Sequence, residues 1–332
     1  MGHPAGLIGL LHLGRIHDET PELRAFLAEG GIASELVPLP ALADWGATDS
    51  GATDGDSIDW GRFDRVSVRD CRDSHRHPDF LARIRALAAH LEVLKVPLAN
   101  PLAVIEAGHA KSHYLPQLER QGVALIPSRW LPRGWRGSLT GLLEACGWRE
   151  AVLKPAIGAK SWQTYRVRRQ GPGLAITAAD GSSPAAALDA VDADAWLAGL
   201  ALDGEVCVQR FLPGICRAGE FSAVFLGGEF SHAVAKSVAA GGWIAHEGFG
   251  GRNRLRQASA AERCWAVAVE ERLRRRFGVL PYARIDGIRN EGGELLLLEC
   301  ELVIPRLFLR EGEAFGRYAD VLVGPTSTRM AW

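Results

Sequence analysis

Two segments in the last third of the chain alternate between polar and apolar residues, and they constrain the fold more than any other feature. They span residues 282–288 and 294–303, and the pair Gly292-Gly293 separates them. Two glycines in this position suit the positive φ angles of a tight turn. The sequence therefore predicts a β-hairpin.

Four charged residues of this hairpin are predicted to lie on one face of the sheet. If the two glycines form the loop, Asp286 lies opposite Glu299 and Arg284 lies opposite Glu301. Because side chains alternate between the two faces of a strand, these four groups then share a face. A loop with any even number of residues preserves this arrangement, whereas an odd number breaks it.

The three carboxylates of the hairpin are predicted to sit at the edge of an apolar core, because four leucines at residues 295–298 and Ile285 surround them. Opposed carboxylates repel each other, so a positive partner must compensate. Mg²⁺ binds one or two carboxylates together with nucleotide phosphates. The alternative is a solvated acidic hairpin with Arg284 as the internal partner, but the leucine-rich surroundings favour a metal site.

Composition and charge exclude several classes of function. A chain of 332 residues suggests two or three packed units. Its net charge is -1, so no overall field attracts nucleic acid or an anionic membrane. The six cysteines form no CxxC pair and no cluster with zinc-site spacing. Since we find no signal sequence and no membrane-spanning run, we expect a cytoplasmic protein with neither nucleic acid nor membrane as a partner.

The first hundred residues alternate between predicted strands and helices. Strands are predicted at residues 7–13, 32–39 and 63–68, and helices at Thr20–Glu29 and residues 79–91. This order predicts an open α/β sheet, whose ligands lie at the carboxyl ends of the strands. The loop after the third strand carries charged or polar side chains at such an end: Arg69, Asp70, Arg72, Asp73, His75 and Arg76. On position alone, substrate contact and a solvated loop are equally plausible.

The rest of the chain is predicted to mix helices and strands. Residues 168–192 show little pattern and are predicted to include a mobile connection. A second hairpin is predicted from residues 221–225 and 230–236. A long helix, Ala260–Phe277, is predicted to pack beneath the hairpin that carries the carboxylates.

Three lysines stand at the ends of predicted elements. Lys154 ends an apolar strand directly before residues 156–161, a small-residue loop whose backbone N–H groups suit a phosphate. The loop lacks the Walker A pattern GxxxxGK[ST]. Lys111 begins a helix and Lys236 ends a strand. Lys154 taken alone is more typical of a solvated strand end. Together, the three lysines, the loop and the carboxylates are what a site for Mg²⁺-ATP requires.

The order of these motifs resembles that of the ATP-grasp superfamily. The order is Lys111, Lys154 with its loop, VQRFLP at residues 208–213, Asp286, and then Glu299-x-Glu301. More closely, the chain is similar to the glutathione-synthetase-like ligases, a group that includes the O-ureido-serine cyclo-ligase of cycloserine biosynthesis. The shared segments cover most of the chain and include VLKPAIGAKSWQTYRV, GEFSAVFLGGEFSHAVAK and LECELVIPRLFL.

The resemblance implies an α/β and α+β architecture, the ATP-grasp fold. Residues 1–99 would form an N-terminal open α/β domain. Residues 100–212 would form a central lid subdomain, and residues 213–332 a C-terminal subdomain with the metal site. ATP would lie between the last two.

The resemblance also implies roles for individual residues. The cofactor-binding residues would be Lys111 and Lys154 on the phosphates, Gly158, Ala159, Lys160 and Ser161 in a closing loop, Gln209, Arg210, Phe211 and Leu212 in an adenine hinge, and Glu220 near the ribose or metal. For Glu220, a surface charge is an equally good interpretation. The metal ligands would be Asp286, Glu299 and Glu301, with Mg²⁺ or, alternatively, Mn²⁺. The catalytic residues would be Lys236, Arg284, Arg69 and Asp73.

The implied activity is that of an ATP-dependent carboxylate–amine ligase. It would form an amide bond or a ring through an acylphosphate, with ADP and phosphate as products, on small amino-acid-like substrates in specialised metabolism such as antibiotic biosynthesis. The alternatives are a small-molecule kinase and a catalytically silent ATP-binding module. The implied partners are a small carboxylate, a small amine and a second copy of the chain.

The chain departs from its relatives at substrate-side positions. Ile304 precedes Pro305 where relatives commonly have an acid, and Arg72 and Ser74 stand where they usually have Trp and Tyr. These departures leave the identity of the substrates open.

Overall fold

The computed structural model describes residues 6–44, 58–171, 173–182, 185–309 and 312–324. Within these residues the strands form three sheets, each with helices packed on it. None of the helices within these ranges is both long enough and apolar enough to cross a membrane.

The first sheet is parallel and has four strands in the order β2-β1-β3-β4. Its strands are β1 (Leu7–His12), β2 (Ala33–Pro38), β3 (Arg65–Ser67) and β4 (Leu98–Ala99), and its crossover helices are α1 (Thr20–Glu29) and α2 (Phe80–Leu94). Helices between parallel strands must cross over a face of the sheet. Each crossover helix accordingly buries apolar residues, Leu23 and Leu27 in α1 and Ile84 and Leu87 in α2. The predicted open α/β sheet is confirmed.

Two helices, α3 (Leu102–His109) and α4 (Lys111–Arg120), connect the first sheet to the second. The second sheet is antiparallel, with the order β5-β10-β6-β7-β8-β9. Its elements are β5 (Ser128–Leu131), α5 (Leu139–Ala145), β6 (Glu150–Pro155), β7 (Tyr165–Gln170), β8 (Gly173–Ala178), β9 (Ala185–Leu188), α6 (Ala190–Asp203) and β10 (Val206–Arg210).

The prediction of a mobile connection within residues 168–192 is wrong where the structure describes them. Strands β8 and β9 lie there, and the buried side chains of Leu174 and Ile176 face the core of the second sheet. Only two large apolar residues mark β8, which is too short a pattern to identify a strand.

The third sheet is antiparallel and has five strands in the order β13-β12-β11-β14-β15. Its elements are α7 (Gly214–Ala218), β11 (Glu220–Leu226), β12 (Glu229–Ser237), β13 (Arg252–Arg256), α8 (Ala260–Phe277), β14 (Tyr282–Arg289) and β15 (Leu295–Glu301). Helix α8 has the predicted bounds, and its Val269 and Leu273 share a core with Ile285 of β14. The predicted packing of α8 against the hairpin is thus confirmed.

Some helices pack on a sheet that is distant in sequence. Tyr114 of α4 lies in the core of the third sheet, although α4 precedes the second sheet in the chain. The last helix, α9 (Gly312–Val323), returns to the first sheet, where Phe315 and Tyr318 pack with Ile8 and Leu10. The division into residues 1–99, 100–212 and 213–332 stays a prediction, since these helices pack across its boundaries.

The hairpin of β14 and β15 has a longer loop than the two glycines would give. The backbone N–H of Asn290 donates to the carbonyl of Glu294, so the loop between them has three residues. An odd loop followed by a regular ladder would turn Glu299 and Glu301 away from the face that carries Asp286.

A β-bulge restores the predicted arrangement. Gly287 pairs with Leu297, but the next pair is Asp286 with Glu299, so Leu298 is an extra residue in β15. Because of this bulge, Leu298 and Glu299 both face the first cavity together with Arg284 and Glu301. Arg284 also pairs with Asp286, so the four charged residues of the hairpin share a face after all.

Candidate functional site

Two adjoining cavities lie where the three sheets meet. The first lies between the second sheet, with the loop after β6, and the third sheet. The second cavity extends from there to the loops that follow β1 and β3 of the first sheet. The two cavities share a wall whose charged residues are Lys111, Lys160, Lys236, Arg284, Glu299 and Glu301. Groups bound in the two cavities can therefore meet at this wall.

All eleven residues predicted to bind the cofactor line the first cavity. They come from separate segments of the chain and are Lys111, Lys154, Gly158, Ala159, Lys160, Ser161, Gln209, Arg210, Phe211, Leu212 and Glu220. The structure brings them together on one surface, and their individual roles stay predictions.

The small-residue loop after β6 curls back over the end of that strand. A Cβ atom on Gly158 would lie 2.9 Å from Cγ of Pro155, so a side chain has no room there. The Nζ of Lys111 donates to the carbonyl of Gly158 at 3.0 Å. Lys160 and Ser161 have φ angles of 55° and 57°, which L-residues rarely adopt and which surrounding contacts must hold. Such loops are typical of ligand clamps.

A chain of alternating charges crosses the third sheet. Lys236 contacts Glu220 and lies 3.6 Å from Asp286, and Arg284 binds Asp286 at 2.8 Å and lies 3.5 Å from Glu301. Burial raises the pKa of Asp286, but Arg284 and Lys236 outweigh it and hold that pKa well below its usual range. Burial raises the pKa of Glu220 to about 7, although the charge of Lys236 opposes this.

Glu299 and Glu301 differ in how well their charge is compensated. Burial raises the pKa of Glu299, but Lys111, at 3.5 Å, and Lys154 outweigh it, so the net pKa is lowered. The pKa of Glu301 is raised by burial and also by the negative charge of Glu299, which together exceed the effect of Arg284. A further cation beside these two carboxylates would therefore be favourable.

The predicted metal site is only partly formed. Glu299 and Glu301 line both cavities, whereas Asp286 has no exposed surface and Arg284 holds both of its oxygens. Among the residues that the structure describes, no three or more His, Cys, Asp or Glu side chains are placed to hold one metal ion. The assignment of Asp286, Glu299 and Glu301 to one metal ion therefore stays a prediction. In this arrangement Glu299 and Glu301 face the cavities, whereas Arg284 neutralises Asp286.

The residues predicted to be catalytic divide into two groups. Lys236 and Arg284 line both cavities, and Asp73 lines the second. Arg69 is fully buried and is on the wall of neither cavity. It pairs with Glu19 at 2.8 Å, and Glu19 in turn accepts hydrogen bonds from the backbone N–H groups of residues 307 and 309. The prediction that Arg69 contacts a substrate is wrong: it supports the segment after β15.

One part of the first cavity is apolar. Its side chains belong to a small core cluster: Ile126, Phe211, Leu212, Ile215, Trp243 and Ile288. The guanidinium of Arg166 lies 3.8 Å from the centre of the Phe211 ring, which fixes that ring at the end of β10. A flat, largely apolar group such as a purine base suits this surface, next to the lysines that suit a phosphate chain.

The second cavity contains residues that sequence reasoning missed. Arg15, His17 and Asp18 follow β1, and Arg306 follows β15 and pairs with Asp18 at 2.9 Å. The rule that marked the loop after β3 also applies to the carboxyl end of β1, so the first three could have been found. Arg306 lies in the irregular segment after β15, and no sequence pattern predicts that this segment places it on the cavity wall.

Comparisons with known proteins agree with this geometry. No protein-family model matches the chain. The chain is 27% identical to the cycloserine biosynthesis protein DcsG of Streptomyces lavendulae over 268 residues, which are 77% of this chain and 81% of that protein. Its structure is similar to that of D-cycloserine synthetase DcsG, with a TM-score of 0.75 and 24% identity over 96% of this chain and 99% of that one. It is also similar to a D-alanine–D-alanine ligase from Bacillus anthracis complexed with ATP, with a TM-score of 0.61 and 14% identity over 96% of both chains.

Proposed function

Because this chain has the ATP-grasp fold, we propose that it is an ATP-dependent ligase that joins a carboxylate to an amine with formation of ADP and phosphate. The observation that carries the proposal is the first cavity, which Lys111, Lys154 and Lys236, a small-residue loop, and Glu299 and Glu301 line together. That combination suits a bound nucleoside triphosphate.

ATP is proposed to lie in the first cavity with its base on the apolar side. The hinge Gln209–Arg210–Phe211–Leu212 and Ile288 would flank the base, and Lys111 and Lys154 would hold the phosphates. A lysine ammonium group binds phosphate oxygens as a point charge and needs no fixed orientation. Lys111 at the start of α4 and Lys154 near the end of β6 therefore need only lie within reach of the phosphates.

Mg²⁺ is proposed as the metal, with Glu299 and Glu301 as its protein ligands. The donor set fits, because two carboxylates with incomplete charge compensation face the cavity, and Mg²⁺ is usually held by one or two carboxylates plus phosphate oxygens. A bound Mg²⁺ would neutralise charge on the phosphates.

The proposed reaction has two displacements. A substrate carboxylate oxygen bonds to the γ-phosphorus as the bond to the β-phosphate oxygen breaks, which releases ADP. An amine then attacks the acyl carbon, loses a proton and displaces phosphate. Lys236 and Arg284 line both cavities, so they can hold the transferred phosphoryl group and the acylphosphate at the shared wall. Small amino-acid-like substrates are proposed, as the DcsG relative works in cycloserine biosynthesis.

Trapping of the intermediate tests the proposal. The protein is incubated with ATP, Mg²⁺, hydroxylamine and a panel of amino acids and other small acids. We expect a hydroxamate and ADP in equal amounts. AMP and pyrophosphate as products would contradict the mechanism. A stable phosphorylated product without condensation would instead identify a kinase, and ATP binding without turnover on the whole panel would identify a silent binding module.

A further inference from the structure

One ion pair joins the phosphate-side loop to the first sheet. The Nζ of Lys160 lies 2.8 Å from Oδ1 of Asp73, and the two side chains are 32% and 17% exposed. Lys160 lines both cavities, whereas Asp73 lines only the second. The ammonium group is therefore shared between a place where a nucleotide is proposed to bind and a carboxylate on the substrate side.

Further contacts keep the two loops together. His75 follows Asp73 by two residues and Trp162 follows Lys160 by two, and the centroids of their rings lie 5.3 Å apart. Asp73 and Lys160 both have positive φ angles, 64° and 55°, a backbone conformation that L-residues rarely adopt and that surrounding contacts must hold. The ion pair is thus a built connection between two loops and not a chance surface contact.

Among the residues that the structure describes, Asp73 forms one other ion pair, with Arg15. Arg15 lies 3.2 Å from Oδ2 of Asp73, but its side chain is 68% exposed, so water weakens its effect. When Lys160 leaves, Asp73 becomes a carboxylate on a cavity wall with a weakly held partner. Such a carboxylate suits a cationic group of a ligand in place of the lost lysine.

A triphosphate in the first cavity would compete for Lys160. It carries several negative charges and offers strong acceptor oxygens, whereas Asp73 offers a single charge that is partly exposed. The lysine side chain is flexible and already lies on the shared wall, so it can change partners without a change of fold.

We propose that Asp73 binds a cationic group of the second substrate, and that Lys160 occupies Asp73 until a bound nucleotide draws the lysine away. This inference rests on the proposed function, since it needs a triphosphate in the first cavity. It assigns the second cavity to an amine-bearing substrate and makes nucleotide binding a condition for substrate binding.

Calorimetric titration of ATP with Mg²⁺ tests the lysine exchange. The variants are Asp73→Asn, Lys160→Met and the double variant, and Asp79→Asn is the matched control, because it removes a nearby exposed carboxylate that lines neither cavity. We expect Asp73→Asn to bind ATP about threefold to fivefold more tightly than the wild type, since Lys160 no longer has to leave a partner. In the Lys160→Met background the same substitution should have no effect.

These variants distinguish the lysine exchange from a general effect of charge on ATP binding. An equal gain in the Lys160→Met background, or in Asp79→Asn, would show a general effect of charge and would overturn the exchange. Unchanged or weaker ATP binding by Asp73→Asn would overturn it as well. If the wild type does not bind ATP at all, the proposed function fails first, and this outcome is distinct from the others.

Glycinamide is a suitable probe for the cationic site, with propionamide as its uncharged counterpart. The wild type is saturated with a non-hydrolysable ATP analogue, and binding is followed by NMR. Glycinamide should bind at least fivefold more tightly with the analogue present than without it, and Asp73→Asn should lose this difference. The assignment of Asp73 would be overturned if glycinamide bound equally to the wild type with the analogue, to the wild type without it and to Asp73→Asn. It would also be overturned if propionamide bound as tightly as glycinamide, or if glycinamide did not bind.

Discussion

Asp286 and Glu299 lie opposite each other in one hairpin, but their surroundings differ. Asp286 is fully buried, and Arg284 binds both of its oxygens. Glu299 lies on the wall of both cavities, with Lys111 at 3.5 Å. The same kind of side chain thus balances a buried charge at one position, and at the other it faces two cavities, where ligand binding is proposed.

Substitution of these two acids should separate the two roles. Glu299→Gln should reduce ADP release at least about 100-fold, because the proposed Mg²⁺ loses one of its two carboxylate ligands. Its free energy of unfolding should change by less than about 1 kcal/mol. Asp286→Asn should also lose activity and, in addition, lose about 3–5 kcal/mol of stability, because the buried Arg284 loses its nearest carboxylate.

Urea unfolding and an ADP-release assay measure the two effects. Glu291→Gln is a control, because this acid is exposed in the hairpin loop and should change neither quantity. A stability loss that is larger for Glu299→Gln than for Asp286→Asn would contradict the assignment.

Sequence reasoning found the residues of the first cavity because motif order carries that information. It did not distinguish Arg69 from Asp73, which lie four positions apart in one charged loop. Arg69 is buried because Glu19 and the segment after β15 cover it, and Asp73 is not. Which residues of one loop are buried depends on segments that are distant in sequence, so local patterns cannot predict it.

At the scale of elements, the start of α8 shows how local signals fix a boundary. Ser259 and Glu262 form a capping box, and Glu262 also accepts hydrogen bonds from Arg256 and Arg289 on β13 and β14. Hydrogen bonds from Arg256, together with those from Ser259 and Arg289, lower the pKa of Glu262 to about 2 against the effect of burial. One carboxylate therefore ties the helix to two strands.

The stability contributed by Glu262 should depend on pH. Because its pKa is lowered in the folded state, its contribution is present above the ordinary value of about 4.5 and is lost as the pH falls toward about 2. Glu262→Gln should therefore be less stable than the wild type by about 1–3 kcal/mol at neutral pH. The difference should shrink toward zero in strong acid.

Urea unfolding of both proteins over this pH range gives the measurement. Glu271→Gln, an exposed acid on the same helix, is the control and should show no such dependence. A constant difference between Glu262→Gln and the wild type at all pH values would argue against the ionised carboxylate as the cause.

The bounds of α8 were predicted to the residue, and the capping box at its start shows that the signal for this boundary is local. The strands β8 and β9 were missed for the opposite reason. They are short and rich in small residues, and they are strands because they extend the edge of the second sheet. Their pairing is a tertiary effect that outweighs a weak local preference.

At the scale of the whole molecule, the first cavity has walls on two sheets. Residues of β6 and β10 form one wall, and β11, β12, β14 and β15 form the other. A nucleotide bound there would contact both sheets at once. Its binding free energy would therefore stabilise the contact between the second and third sheets.

ATP with Mg²⁺ should thus raise the temperature of unfolding. At a ligand concentration about 100 times the Kd, the stabilisation is about 2.7 kcal/mol. Lys154→Met should lose most of this shift, because it removes a charge from the cavity wall. Thermal unfolding with increasing ATP gives the measurement.

Arg168→Met is the matched control, because Arg168 is an exposed basic residue of the same sheet. It should retain the full shift. A shift of equal size in Lys154→Met would place the phosphates elsewhere. AMP should stabilise less than ATP, since it lacks the β- and γ-phosphates.

The fold class could be predicted from the sequence, because element order and motif order both reflect the whole chain. The places where the sheets meet could not. Helix α9 returns to the first sheet, and α4 packs on the third, through contacts between residues more than 100 positions apart. The second cavity depends on these contacts, so its residues were harder to predict than those of the first.

The bulge at Leu298 has a consequence for the alignment of related sequences. A relative with one residue fewer between its turn and its Glu-x-Glu motif would have a regular ladder and would keep both carboxylates on the same face. A single gap at this point is therefore compatible with an intact site. A gap between Glu299 and Glu301 is not, because it would turn one of the two acids to the opposite face.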